Sequence, residues 1–159
     1  MSIYSREFNV SMSDVNKYRF LRTSTMFSML QLVSTDHLDI LDLGPDKTLD
    51  QGLLWVLIKQ RAEITRMPHY NEDIVFKTWP TGGRHKLFQR HYSIETLEGE
   101  ILVKAGAIWS LIEEKTRAMI NPNEYGVVLE GSRTGNEVNL SLNPKRIETC
   151  HSSEFKVPF

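Results

Sequence analysis

In this 159-residue chain, the carboxylate best placed to do chemistry is Asp14, in the stretch Asp14-Val15-Asn16. It falls between a short segment of strand pattern and a long segment of helix pattern. A carboxylate at such a junction can act as base or nucleophile on a carbonyl held at the helix N-terminus, where backbone N–H groups stabilise an oxyanion. The competing reading is structural. Ser11 to Asn16 (SMSDVN) is a turn cluster, and Ser13 or Asp14 suits a helix cap. The other reactive side chains read as structural. His37 lies inside the helix pattern next to Asp36, where a histidine is more often a satisfied core residue than a catalyst. Cys150 sits in a polar stretch with neither a base nor an oxyanion site in view. His69, His85, His91 and His151 have no metal-like spacing, so no zinc site is expected. Gly82-Gly83-Arg84 precedes a strand pattern rather than a helix and reads as a turn, not a phosphate loop.

An apolar stripe offers a second kind of site. Phe20, Met26, Phe27, Met29, Leu30 and Val33 recur along the helix pattern. Met26, Met29, Leu30 and Val33, with Trp55 closing one end, can line a pocket for an apolar ligand, methionine being adaptable enough to shape one. The plain alternative is core packing, and the two are compatible where a pocket is carved from a core. Arg84, Lys86 and Arg90, or Arg19 and Arg22, can dock an acidic partner, although such charge rows are usually solvated faces.

The elements that must hold these residues follow from periodicity. Ile3 to Val10 alternates as a strand. From about Arg19 to Leu43 the pattern is helical, apolar on more than one side, with Gly44-Pro45 as its stop. Strand patterns follow. In the first, Ile58, Gln60, Ala62 and Ile64 share a face, ending at Met67-Pro68. Asp73 to Trp79 is the next, stopped by Pro80 and the turn residues Thr81-Gly82-Gly83. Leu87 to Leu97 and Glu100 to Glu113 flank a hairpin at Glu98-Gly99. Arg117 to Ile120 reads as a short final strand. The order is strand, long helix, then about four antiparallel strands, an α+β domain whose meander lays one face on the helix.

Composition narrows the class. The length suits one compact domain with a real core. With 19 basic and 20 acidic residues the net charge of -1 gives no case for nucleic acid or an anionic membrane surface. The most apolar run, Leu53 to Ile58 (LLWVLI), is too short to span a bilayer. One cysteine precludes an intrachain disulfide, and the N-terminus lacks a signal-peptide apolar core. Both suit the cytoplasm.

Several residues in order carry a resemblance. Gly52 to Leu57 (GLLWVL), Arg66 and Pro68, Asp73, Thr78-Trp79-Pro80, Arg90 and Tyr92, Trp109, Thr116-Arg117 and Pro122 resemble the N-terminal half of acyl-acyl-carrier-protein thioesterases. The resemblance covers roughly residues 3–122. It implies a hotdog fold, a sheet wrapped round one long helix, and hydrolysis of the thioester between a fatty acyl chain and acyl carrier protein. It further implies that the apolar stripe touches acyl chain and that no metal or organic cofactor is needed. Family members carry two hotdogs in tandem. On that pattern residues 1–130 are the first hotdog, 131–153 a linker, and 154–159 (EFKVPF) the opening strand of a second. The family's catalytic signature, D-x-N-x-H-V-N-N in the second hotdog, maps onto no position here, so no catalytic residue is expected within the chain. Asp14 is the fallback, because single-hotdog thioesterases often place a catalytic aspartate between first strand and helix. Asp14 lacks the histidine and paired asparagines of the signature, which favours the cap. Two alternatives stay open: a non-catalytic acyl-binding or dimerisation module, and a single-hotdog acyl-CoA thioesterase using Asp14. Open sheet edges predict self-association.

Overall fold

The computed structural model describes residues 3–141. It contains β1 (Tyr4–Asn9), a 3-10 turn (Met12–Asp14), α1 (Thr23–Ile40), α2 (Pro45–Asp50), β2 (Leu53–Ile64), β3 (Asp73–Arg84), β4 (Leu87–Thr96), β5 (Ile101–Glu113) and a second 3-10 turn (Pro122–Tyr125). The five strands form one antiparallel sheet in the order β1-β3-β4-β5-β2. The long helix lies on its inner face, with Met26, Leu30 and Val33 of α1 packed in one core with Phe76, Tyr92, Ile94, Val103 and Ala105. This is the expected hotdog arrangement. Among the described residues no helix is long and apolar enough to cross a membrane.

The meander is shorter than the sequence suggests. β3, β4 and β5 follow one another, but β2 pairs with the far side of β5 rather than with β3. The connection from β2 to β3 is not a hairpin turn. It is tied to the start of the chain: Leu21 N–H donates to Pro68 O at 2.8 Å, Tyr70 N–H to Arg19 O at 2.8 Å and Asn71 N–H to Val10 O at 2.8 Å. Those bonds satisfy the loop's backbone while carrying the chain from one edge of the sheet towards the other.

Element ends differ from the pattern for local reasons. The helix begins at Thr23 rather than near Arg19. Asn16 Oδ1 accepts from the N–H groups of Tyr18 (2.9 Å) and Phe20 (3.2 Å), and Arg19 holds φ 65, so the chain turns before it can wind. At the other end Asp42, not Gly44, takes the left-handed conformation, with φ 58. Gly44 serves a different need, since a Cβ there would run into the Asp39 carboxylate. Pro45 does not stop α1, which has already ended at Ile40; it opens α2 at the first-turn position where its missing N–H costs nothing.

β3 does not end at Trp79. It runs through Pro80 to Arg84, with a bulge between Pro80 and Gly82. Pro80 is tolerated because β1 pairs with β3 only as far as Thr78, leaving no ladder partner on that side. Gly82 takes φ 99. A second bulge between Leu57 and Lys59 makes Ile58 the extra residue of β2, and it is 47 % exposed rather than on the face with Gln60 and Ala62. Ile64, expected on that same face, is also exposed. Arg117 to Ile120 forms no strand. It folds back through a single bridge, Ile112 to Met119, and the bond from Ile120 N–H to Leu111 O.

The outer face of the sheet is covered by a strap with no regular secondary structure. Glu137 Oε1 accepts from Trp79 Nε1 at 3.0 Å, Val138 N–H donates to His91 Nδ1 at 3.2 Å, and Arg61 Nη1 donates to Asn139 O at 3.1 Å. Val138 and Leu140 are buried there, which is why β5 is buried on both faces. The expected strand at 154–159, Cys150 and His151 lie outside the described residues.

Candidate functional site

The C-terminal half of α1 presents Ser34, His37 and Leu38 to the sheet, a three-and-four spacing that puts them on one helix face. Opposite them, alternate residues of β4 point inward: Phe88, Arg90, Tyr92 and Ile94 are all buried. Thr78 and Pro80 of β3, Trp55 of β2 and Trp109 of β5 complete the surroundings. Between helix and sheet lies a chamber of about 50 Å³, walled by Leu38, Trp55, Phe88, Trp109 and Leu129, with Ser34 and Arg90 also on its lining.

The polar groups of the chamber form two connected sets. Ser34 Oγ donates to Leu30 O at 2.9 Å, so its bond of 2.8 Å with Tyr92 Oη has the tyrosine as donor. Burial raises the Tyr92 hydroxyl above its ordinary value, with Arg90 and Ser34 opposing. Arg90 Nη1 lies 3.0 Å from His37 Nδ1 and 3.1 Å from Thr78 Oγ1. A guanidinium only donates, so His37 Nδ1 accepts and the ring carries its hydrogen on Nε2. His37 is fully buried and Tyr4 stacks on it at 5.8 Å. Burial also presses the Arg90 guanidinium towards a lower pKa than usual. Among the described residues its Nη2 has no acceptor within hydrogen-bond distance.

Arg90 was expected in a surface charge row with Arg84 and Lys86. The structure places it inside, 4 % exposed. Lys86 Nζ is bound to Met119 O at 2.7 Å. Asp36, beside His37 in sequence, turns to Arg6 at 2.7 Å and to the Tyr4 hydroxyl at 3.2 Å instead.

The five residues named for ligand contact divide. Trp55 lines the chamber, donates Nε1 to Leu43 O at 3.2 Å and meets Phe88 edge-on at 5.2 Å. Met26, Leu30 and Val33 are fully buried in the main core, and half-buried Met29 packs against it. The helix residues on the chamber wall are Ser34, Thr35 and Leu38, one to two turns further on. Sequence reasoning passed over these because it followed the most apolar residues. Asp14 lies at the strand-to-helix junction, its backbone O accepting from Arg22 N–H at 2.9 Å at the helix start. Its carboxylate turns back to Ser11, accepting from the N–H at 2.9 Å and from Oγ at 2.5 Å, a reciprocal cap of the 3-10 turn. Among the described residues no three His, Cys, Asp or Glu side chains cluster as metal ligands.

Known proteins bear this out at the level of fold and family. Residues 1–124 match the model of the acyl-ACP thioesterase N-terminal domain. The chloroplastic acyl-acyl-carrier-protein hydrolase FATB3 of Cuphea viscosissima is 25% identical over 123 residues, 73% of this chain and 30% of that protein. The crystal structure of an acyl-ACP thioesterase from Bacteroides thetaiotaomicron superposes with TM-score 0.76 at 19% identity, covering 92% of this chain and 58% of that one. A DHNA-CoA thioesterase from Staphylococcus aureus superposes with TM-score 0.72 at 17% identity, covering 79% of this chain and 84% of that one. The chain thus spans about a third of the length of the curated relative. By its match over residues 1–124 and its hotdog fold, this chain belongs to the acyl-ACP thioesterase family and corresponds to the family's N-terminal domain.

Proposed function

We propose that this chain is the pocket-forming N-terminal half of an enzyme that hydrolyses the thioester between a fatty acyl chain and acyl carrier protein, releasing free fatty acid. The observation that carries the reading is the match of residues 1–124 to the N-terminal domain of that family. The chamber between α1 and the sheet supports it, since a largely apolar space beside a long helix suits part of an acyl chain. In this reading Trp55 touches acyl chain while Met26, Leu30, Val33 and Met29 hold the helix that forms the chamber's other wall. The catalytic groups belong to a second hotdog, residues 131–153 are the linker towards it, and residues 154–159 its first strand. Acyl carrier protein delivers the substrate. β1 and β2 are the sheet's outer strands, and self-association through them is part of the proposal, to be checked by sedimentation; a monomer at high concentration counts against it. The compartment is proposed as cytoplasmic, although the curated relatives bear chloroplastic names.

The test is an assay of the 159-residue chain on acyl-ACP, alone and joined to a C-terminal family domain. The expected outcome is turnover in the joined protein only, with Asp14→Asn changing its rate by less than about 2-fold, since asparagine caps the turn as aspartate does and the carboxylate has no part in the chemistry. A single-hotdog acyl-CoA thioesterase is the second reading, favoured by the 84% coverage of the DHNA-CoA thioesterase. Turnover by the chain alone, abolished by Asp14→Asn, would establish it. Saturable acyl binding with no turnover in either form would point to a non-catalytic module.

A further inference from the structure

Arg90, a lining residue of the chamber, carries a charge with no opposite charge beside it among the described residues. Arg90 is a permanent cation at any ordinary pH. Both partners of its Nη1, His37 Nδ1 and Thr78 Oγ1, accept as neutral groups, and Nη2 has no acceptor among the described residues. The carboxylates closest in sequence to this group, Asp36 beside His37 and Glu95 further along β4, are engaged elsewhere. Asp36 is held by Arg6 and Tyr4, and Glu95 on the same strand by Lys77 at 2.6 Å and Ser93 at 2.5 Å. A buried cation without compensation is strongly destabilising, and a guanidinium fork is shaped for a carboxylate. The rest of the chamber is mostly apolar, with Ser34, Thr35 and Gln89 as its other polar residues, and its 50 Å³ admits on the order of three water molecules, the size of a chain's end group rather than a whole chain. Trp109, also on the lining, carries an indole N–H that makes no hydrogen bond among the described residues.

We propose that the chamber receives a carboxylate borne on an aliphatic chain, with Arg90 Nη2 as its donor and Leu38, Trp55 and Phe88 against the adjoining methylenes. This rests on the acyl reading above and narrows it to a charged terminus. Two sources have the same chemistry: the head group of a free fatty acid, or a carboxylate at the far end of an acyl chain held by its thioester. Nη2 is itself enclosed, so the ligand reaches it by displacing a wall side chain.

Trp55 and Trp109 stand in the wall, so their fluorescence reports occupancy. The 159-residue chain is titrated with dodecanoate and with dodecanol at about pH 8, where the carboxylate is ionised. Both bind, the acid about 10-fold tighter or more, as expected for a hydrogen bond to a charged group. Arg90→Met weakens only the acid and levels the two. Dodecanoyl and ω-carboxydodecanoyl pantetheine then separate the sources. Tighter binding of the second puts the carboxylate at the far end of an acyl chain. Equal binding of both thioesters, with the acid preference intact, assigns the site to a free-acid head group. Equal affinity for dodecanoate and dodecanol overturns the carboxylate and leaves acyl binding standing. Binding of neither overturns the acyl reading itself. Should Arg90→Met fail to fold, the acid-alcohol pair on the unaltered chain decides alone.

Discussion

The two faces of the sheet are covered in different ways. The inner face meets a regular helix, and polar groups buried there pair with side chains: Tyr92 with Ser34, Arg90 with His37 and Thr78. The outer face meets an irregular strap, and its ties mix side chain with backbone: Trp79 to the Glu137 carboxylate, Val138 N–H to His91, Arg61 to Asn139 O. A helix satisfies its own backbone and has only its side chains to place. An irregular segment must find partners for every buried N–H and C=O. The inner face therefore depends on packing volume, and the outer face on close approach and protonation state.

Different perturbations separate them. The largest effect is expected on the inner face: Leu30→Ala should cost about 2–5 kcal/mol in urea denaturation, since the side chain is fully buried among α1, β3 and β4. A loss below 1 kcal/mol would show that the helix is loosely held. On the outer face the sensitive residue is a glycine. A Cβ on Gly131 would stand 2.7 Å from Thr81 backbone atoms, which cannot swing aside. Gly131→Ala should cost about 1–3 kcal/mol, in the range of overpacking, and should release the strap. Faster hydrogen exchange at Val138, with exchange on α1 unchanged, is the signature.

Acid should loosen the strap before the core. Burial lowers the pKa of His91, whose Nδ1 must stay unprotonated to accept from Val138 N–H. Burial raises Glu137, but donors from Thr134, Trp79 and Gly135 outweigh it and hold the carboxylate down at about 2. Both folded-state values lie below the ordinary ones, so both groups stabilise the strap at high pH and lose that contribution as pH falls. His91 acts first, below its ordinary 6.5, and Glu137 over the window from 4.5 to about 2. The Trp79 indole N–H resonance, followed from neutral pH downward, should shift in two steps; a single step with global unfolding would merge the two faces into one unit. The smallest effect is Glu137→Gln, about 1 kcal/mol, because the amide still accepts but without charge.

Much of this was legible from local residues. Alternation in Leu87 to Leu97 put Phe88, Tyr92 and Ile94 on one face, and Arg90 shares their parity. That parity marks Arg90 as a lone cation on an apolar face, and so as a buried charge rather than part of a surface row. What it would meet was not visible, because His37 is 53 residues away and Thr78 lies across a strand pair. Pro80 reads as a stop in the sequence, but proline ends a strand only where a ladder bond is needed, and whether β1 reaches that far depends on register. The strap read as a polar connection because its apolar residues, Val138 and Leu140, are few, and the surface they cover is made by four other segments.

The sequence by itself determined the elements and their sidedness: one long helix, strands in order, and a turn at Asp14. Those rest on periodicity and turn chemistry acting over a few residues. Tertiary structure alone decided that β2 pairs with β5, that residues after Gly131 cover the outer face, and that Arg90 is buried against His37 and Thr78 beside a chamber. Each of these depends on which distant surfaces close on one another. A backbone group or a charge acquires its partner, or fails to, only when that closure has taken place.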